Sequence, residues 1–175
     1  ASARLWTALT GFLGVLLAYY AGRRLLGAAG GVCAAAVLAS SGLYVFAGHV
    51  VSLDMGVTFF LALAVFAIAF AQGDDTPARA RRNWMLAAWA AMACAVLSKG
   101  LIGLVLPVAA VLAYAAWQRD ATLLRRLHAG PGLALFLAIA APWFVAVSAA
   151  NPEFARYFFV HEHFERFLTT QHGRE

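Results

Sequence analysis

The sequence is short of charge. Only 12% of its 175 residues are Asp, Glu, Lys or Arg, and 63% are hydrophobic. A soluble domain carries roughly twice that charged fraction. Apolar surface on this scale cannot be hidden from water in a chain of this size, so the bilayer is the expected solvent. Lysine is nearly absent, with Lys99 alone; the formal net charge of +5 rests on arginine. In a membrane chain, arginine-rich loops report orientation and anionic headgroups, and no nucleic-acid partner is expected. Cysteine is scarce. Cys33 and Cys94 sit inside apolar runs and read as small buried hydrophobes, with no disulfide or zinc spacing. The opening "ASARLWTALT" has neither an initiator Met nor a signal-peptide layout, which leads us to expect a piece of a longer protein. Internal repeats are lacking as well.

What the chain has is apolar runs. Six lie at about 4–22, 28–49, 53–72, 83–98, 101–118 and 132–149. Each is long enough, or nearly so, to cross about 30 Å of hydrocarbon as a helix. The predicted fold class is an all-α polytopic membrane protein of about six spans. The expected division is a transmembrane bundle over 1–150 and an interfacial segment over 151–175 on the non-cytoplasmic side. Alternate breaks carry arginine: Arg23 and Arg24, then Arg79, Arg81 and Arg82, then Arg119, Arg125 and Arg126. By the positive-inside rule that side is cytoplasmic. The opposite side holds the Asp54 turn, the Lys99 turn and the carboxy-terminal stretch. Gly27 and Gly31 read as a packing pair, Pro107 and Pro142 as kinks, and Trp143 as an interfacial anchor.

Polar chemistry is concentrated on that opposite side. Asp54, in "GHVVSLDMG", is the only acid before Asp74. It reads either as a first-turn carboxylate beside a Ser52 cap or as a functional acid. His49 lines the same pocket or sits at the interface. Lys99, in "LSKG", is either a helix stop before glycine or an anchor for phosphate. In the final segment Asn151 and Pro152 signal a helix start, and Phe154, Tyr157, Phe158, Phe164, Phe167 and Leu168 form an apolar stripe. The string H-E-H-F-E-R is not the H-E-x-x-H of zinc proteases. His161 and His163, two apart, point to nearly opposite sides of a regular helix, so one histidine plus a ligand from elsewhere is the open metal reading. Glu162 and Arg166 form an ordinary i,i+4 pair. A phosphate-binding cleft at one membrane face, with Lys99 and Arg166 as cations, is the simplest shared purpose.

The strings "SLDMG", "LSKGLIGLVLP", "PWF", "NPEFARYFFVHEHFERF" and "QHGRE", in that order, carry a resemblance. Over about residues 38–175 the chain resembles the bacterial 4-amino-4-deoxy-L-arabinose transferases. These are lipid A-modifying enzymes of the GT-C glycosyltransferase class, related to the protein O-mannosyltransferases. The resemblance implies an inner-membrane enzyme with a periplasmic site, which makes the interfacial segment over 151–175 periplasmic. It would take an aminoarabinose-type sugar from undecaprenyl phosphate to a lipid A phosphate with inversion, giving polymyxin resistance. It implies Asp54 on the sugar or acceptor side, Lys99 and Arg166 at phosphate, and a structural zinc held by His161, or alternatively His163, with a glutamate upstream of this chain. It also implies a catalytic base upstream of this chain and a monomeric enzyme. "LDM" stands where many relatives have "LDP". Transfer of another sugar or to another acceptor, such as protein mannosylation, is the alternative within the class. A transporter or lipid-binding module is the alternative outside it; a transporter would need polar groups near the midplane, and here they sit at helix ends.

Overall fold

The computed structural model describes residues 2–50 and 52–151. Among the described residues the chain forms seven helices and no strand: α1 (Ser2–Ser40), α2 (Gly42–His49), α3 (Asp54–Gln72), α4 (Ala78–Lys99), α5 (Ile102–Gln118), α6 (Thr122–Arg125) and α7 (Ala129–Ala150). Three of them are long and apolar enough to cross a membrane: α1 from Arg4, α3 and α7. Helix α5 is apolar and slightly shorter. Many large apolar side chains point outward, among them Leu26, Val37, Leu43, Trp117 and Val145. A membrane protein meets lipid with such surface.

Helix α1 is a hairpin rather than a rod. Its continuity is broken at Gly27, where φ is 82° and ψ −178°. Beyond that point the chain runs back along itself. A Cβ on Gly31 would lie 2.7 Å from the Tyr19 carbonyl oxygen and 3.0 Å from the Arg23 nitrogen. In a straight helix, residues so far apart in sequence would be separated by ~18 Å. Further along, the Tyr44 hydroxyl donates to the Gly11 carbonyl at 2.9 Å. The expected packing pair therefore divides its work. Gly31 allows close approach of the two arms, while Gly27 has no neighbour within 4 Å and supplies the positive φ of the reversal. The returning arm breaks at Ser41, which is extended, and resumes as α2.

Helix α3 runs beside the hairpin. At one end Trp6 stacks over Gly56, where a Cβ would be 3.0 Å from the indole nitrogen, and Met55 fills the space behind Gly11 and Gly48. At the other end Tyr20 meets Phe70 edge-on at 5.9 Å, and the Arg24 guanidinium lies 4.5 Å over the Phe70 ring and 5.1 Å from that of Trp84. Helix α4 is the hub against which α3, α5 and α7 pack. Its inward side is small: Ala88, Ala91, Ala93 and Ala95 are all buried. Small residues let backbones approach where no hydrophobic driving force separates helix from lipid. A Cβ on Gly103 of α5 would lie 2.5 Å from the Val96 nitrogen, so glycine is needed at that crossing. Pro107 and Pro142 lie inside α5 and α7, which continue past them. Cys33 departs from expectation: it is exposed, and Cys94 is only half-buried.

The arginine-bearing end is tied together through backbone carbonyls. Arg81 donates to Ala71 O at 3.0 Å and Gly73 O at 3.1 Å. Arg126 donates to Gln72 O at 3.1 Å and pairs with Asp74 at 3.0 Å. Trp89 Nε1 donates to Leu127 O at 3.0 Å. The short helix α6 was not legible as an apolar run. It starts where Asp120 accepts the Thr122 N–H at 2.8 Å. These bonds satisfy carbonyls left open at helix ends, and they give Arg81 and Arg126 a structural task besides marking orientation.

Candidate functional site

At the end away from the arginines, two helix termini meet. Helix α3 begins at Asp54, so the carboxylate sits in its first turn, where the helix dipole favours negative charge. Its own N–H is 3.3 Å from the Ser52 hydroxyl, which accepts it, and its carbonyl accepts the Thr58 hydroxyl at 2.7 Å. Helix α4 ends at Lys99, and Gly100 turns the chain with φ of 83° and donates back to Val96 O at 2.8 Å. The ammonium is thereby delivered at the negative end of the α4 dipole. Lys99 Nζ and Asp54 Oδ1 form an ion pair. Both side chains remain about half exposed, at 50% and 57% respectively.

The pair is too exposed for a core role. A half-exposed carboxylate beside an ammonium can accept hydrogen bonds from sugar hydroxyls or an amine, while the ammonium can hold phosphate as a point charge. The first-turn placement of Asp54 holds, but the N-cap position falls to Leu53 rather than Ser52, whose hydroxyl meets only the Asp54 N–H; the carboxylate also meets a charged partner forty-five residues along the chain. His49 does not join the pair. Its Nδ1 lies 2.8 Å from Val45 O, and it lines a cleft with Arg4 on the hairpin. Arg4 was not singled out by sequence; its only signal was an arginine on the side where the positive-inside rule disfavours one. Arg166, His161 and His163 lie outside the described residues, as does the whole segment after Asn151. Among the described residues no group of His, Cys, Asp and Glu could hold a metal ion.

Membrane-length helices packed on an alanine-rich hub, with an open ion pair at one end, define a helical integral membrane protein. The chain belongs to the dolichyl-phosphate-mannose-protein mannosyltransferase family, whose model matches residues 1–158. It is 35% identical over 170 residues to the undecaprenyl phosphate-alpha-4-amino-4-deoxy-L-arabinose arabinosyl transferase 1 of Pseudomonas fluorescens, covering 94% of this chain and 30% of that protein. The Pseudomonas aeruginosa (strain PAO1) transferase of the same description is 38% identical over 168 residues, covering 93% and 30%. Among solved structures, ArnT from Cupriavidus metallidurans bound to undecaprenyl phosphate superposes with a TM-score of 0.90 at 39% identity, covering 93% of this chain and 30% of that one. The apo ArnT gives 0.87. The chain thus spans about 30% of the length of the relatives it matches.

Proposed function

We propose that this chain is part of a membrane glycosyltransferase that moves an aminoarabinose-type sugar from undecaprenyl phosphate to a phosphate of lipid A. The observation that carries this reading is the Asp54–Lys99 pair, set at the face opposite the arginines in a fold that matches an undecaprenyl phosphate-bound ArnT. The transfer would take place at the periplasmic face of the inner membrane. The spans would be six: the two hairpin arms, α3, α4, α5 and α7. Residues 151–175 would then lie along the periplasmic interface.

The chemistry follows from charge. As the anomeric carbon–oxygen bond breaks, negative charge grows on the departing phosphate. Cations in a partly dry cleft stabilise that charge more than they stabilise the intact donor. Lys99 offers a compact point charge and Arg166 a planar fork. The acceptor is itself a phosphate, so the same cations reduce repulsion between the two anions. Asp54 orients Lys99 and presents its second oxygen to the sugar or acceptor. The base that activates the acceptor lies, on the family resemblance, upstream of this chain. Protein mannosylation, suggested by the family description, is the second reading and is distinguished by the acceptor that becomes labelled.

The test is mass spectrometry of lipid A from cells whose only such enzyme is the full-length protein. Lys99→Ala and Arg166→Ala are each expected to abolish the aminoarabinose adduct at normal protein levels. Undiminished adduct in both variants refutes the phosphate clamp. Zinc on His161, with an upstream glutamate, is a separate proposal that rests on the resemblance. Elemental analysis of the purified protein should show zinc that His161→Ala loses; equal zinc in the two samples counts against it.

A further inference from the structure

The hairpin carries a cleft of about 370 Å³ between its first arm and α2. Arg4, Ala8, Phe12 and Val15 line one wall; Tyr44 and His49 stand on the other. From Arg4 to Val15 the wall descends ~16 Å at the helical rise, about half of a ~30 Å hydrocarbon layer. The cleft is therefore one leaflet deep, polar at its mouth and apolar below. Its mouth is at the Asp54 end, because Trp6 packs on Gly56 and Gly48 on Met55. Met55, 2% exposed, packs behind Gly11 and Gly48 of the cleft wall, and neither Asp54 nor Lys99 is among the lining residues.

Among the described residues the charge at the mouth is uncompensated. Arg4 is exposed, and among the described residues it has no ion-pair partner and no carboxylate lines the cleft. An arginine on this side runs against the positive-inside trend, so orientation does not account for it. Its guanidinium matches a phosphate diester geometrically. His49 adds a second, different feature. With Nδ1–H donating to Val45 O, Nε2 is left as an acceptor, suited to a hydroxyl.

We propose that this cleft binds one anionic phospholipid of the outer leaflet with a hydroxyl-bearing headgroup, of the phosphatidylglycerol type. Arg4 holds the phosphate, His49 Nε2 accepts a headgroup hydroxyl, and one acyl chain lies along Ala8, Phe12 and Val15. The site is independent of the sugar-transfer reading, since it shares neither Asp54 nor Lys99. A lipid seated there braces the open side of the hairpin beside the candidate site.

The test is native mass spectrometry of the full-length protein in detergent, titrated separately with phosphatidylglycerol and phosphatidylcholine. Phosphatidylglycerol is expected to add one tightly held lipid that phosphatidylcholine does not. Arg4→Ala should weaken that adduct about tenfold, the scale of one lost charge-assisted hydrogen bond. Ala8→Leu, which fills the shaft and keeps the charge, should also reduce it. Lys99→Ala should leave it intact while removing lipid A modification, so the two proposals fail separately. Equal retention by wild type and Arg4→Ala overturns the proposal. Equal binding of both lipids does so too, as does the absence of any adduct because another part of the full-length chain fills the cleft.

Discussion

At the residue scale, the ion pair between Asp54 and Lys99 contributes little to stability. Both partners are about half exposed, and such pairs are worth roughly 0.2–1 kcal/mol. Losing Lys99 should therefore silence the chemistry without unfolding the helix ends, which makes the lipid A test informative. Asp120 is the contrasting acid. The Thr122 hydroxyl and then the Thr122 N–H hold its carboxyl below the usual carboxylate range; its slight desolvation opposes them and Arg126 adds a small favourable charge. A carboxylate depressed in the folded state lends stability above its unfolded pKa and loses it as pH falls through the folded value. Hydrogen-exchange protection factors across residues 120–126, taken relative to the intrinsic amide rate at each pH, should fall on acidification below about pH 4. Asp120→Asn should flatten that dependence, and an unchanged pH profile in the variant refutes the assignment.

At the element scale, the hairpin depends on two glycines with different physics. At Gly31 a side chain meets the Tyr19 carbonyl at 2.7 Å, and backbone cannot yield as a flexible side chain could. Gly31→Val should cost about 1–3 kcal/mol by overpacking. At Gly27 there is open space, so Gly27→Ala suffers only from a backbone conformation, φ 82° and ψ −178°, kept almost entirely to glycine, about 1–3 kcal/mol. Thermal unfolding in detergent checks the pair, and a neutral Gly31→Val would refute the close approach of the arms. The sequence showed both glycines at small-xxx-small spacing, which suggests packing. It could not show that one of them is the turn, because spacing is blind to φ.

At the scale of the whole molecule, sidedness is the claim on which the rest stands. Asp54 and Lys99 meet at one end, while Arg24, Arg81 and Arg126 engage Phe70, Ala71 and Gln72 at the other. Cysteines placed at Asp54 and Lys99 should label with a membrane-impermeant thiol reagent from the periplasmic side of intact cells. Cysteines at Arg82 and Arg119 should label only after permeabilisation. Labelling of the first two from opposite sides refutes the arrangement. Much of this was legible beforehand, because hydropathy and the arginine rhythm are linear properties that a bilayer sorts one helix at a time. The described helices begin and end close to the apolar runs at residues 53–72, 101–118 and 132–149.

By itself, then, the sequence determined that the chain belongs in a membrane, roughly where α3, α5 and α7 start and stop, and that Asp54 and Lys99 fall in breaks on the same side of the arginine rhythm. Bilayer insertion reads composition and length, and neither needs a partner helix. Only the tertiary structure decided that Asp54 closes on Lys99, that Arg126 caps the end of α3, that Cys33 faces outward and that Arg4 opens a cleft with His49. Each of these depends on the rotation of one helix against another. That rotation is set by small-residue contacts such as Gly103 on Val96, which carry no signal until the surfaces meet.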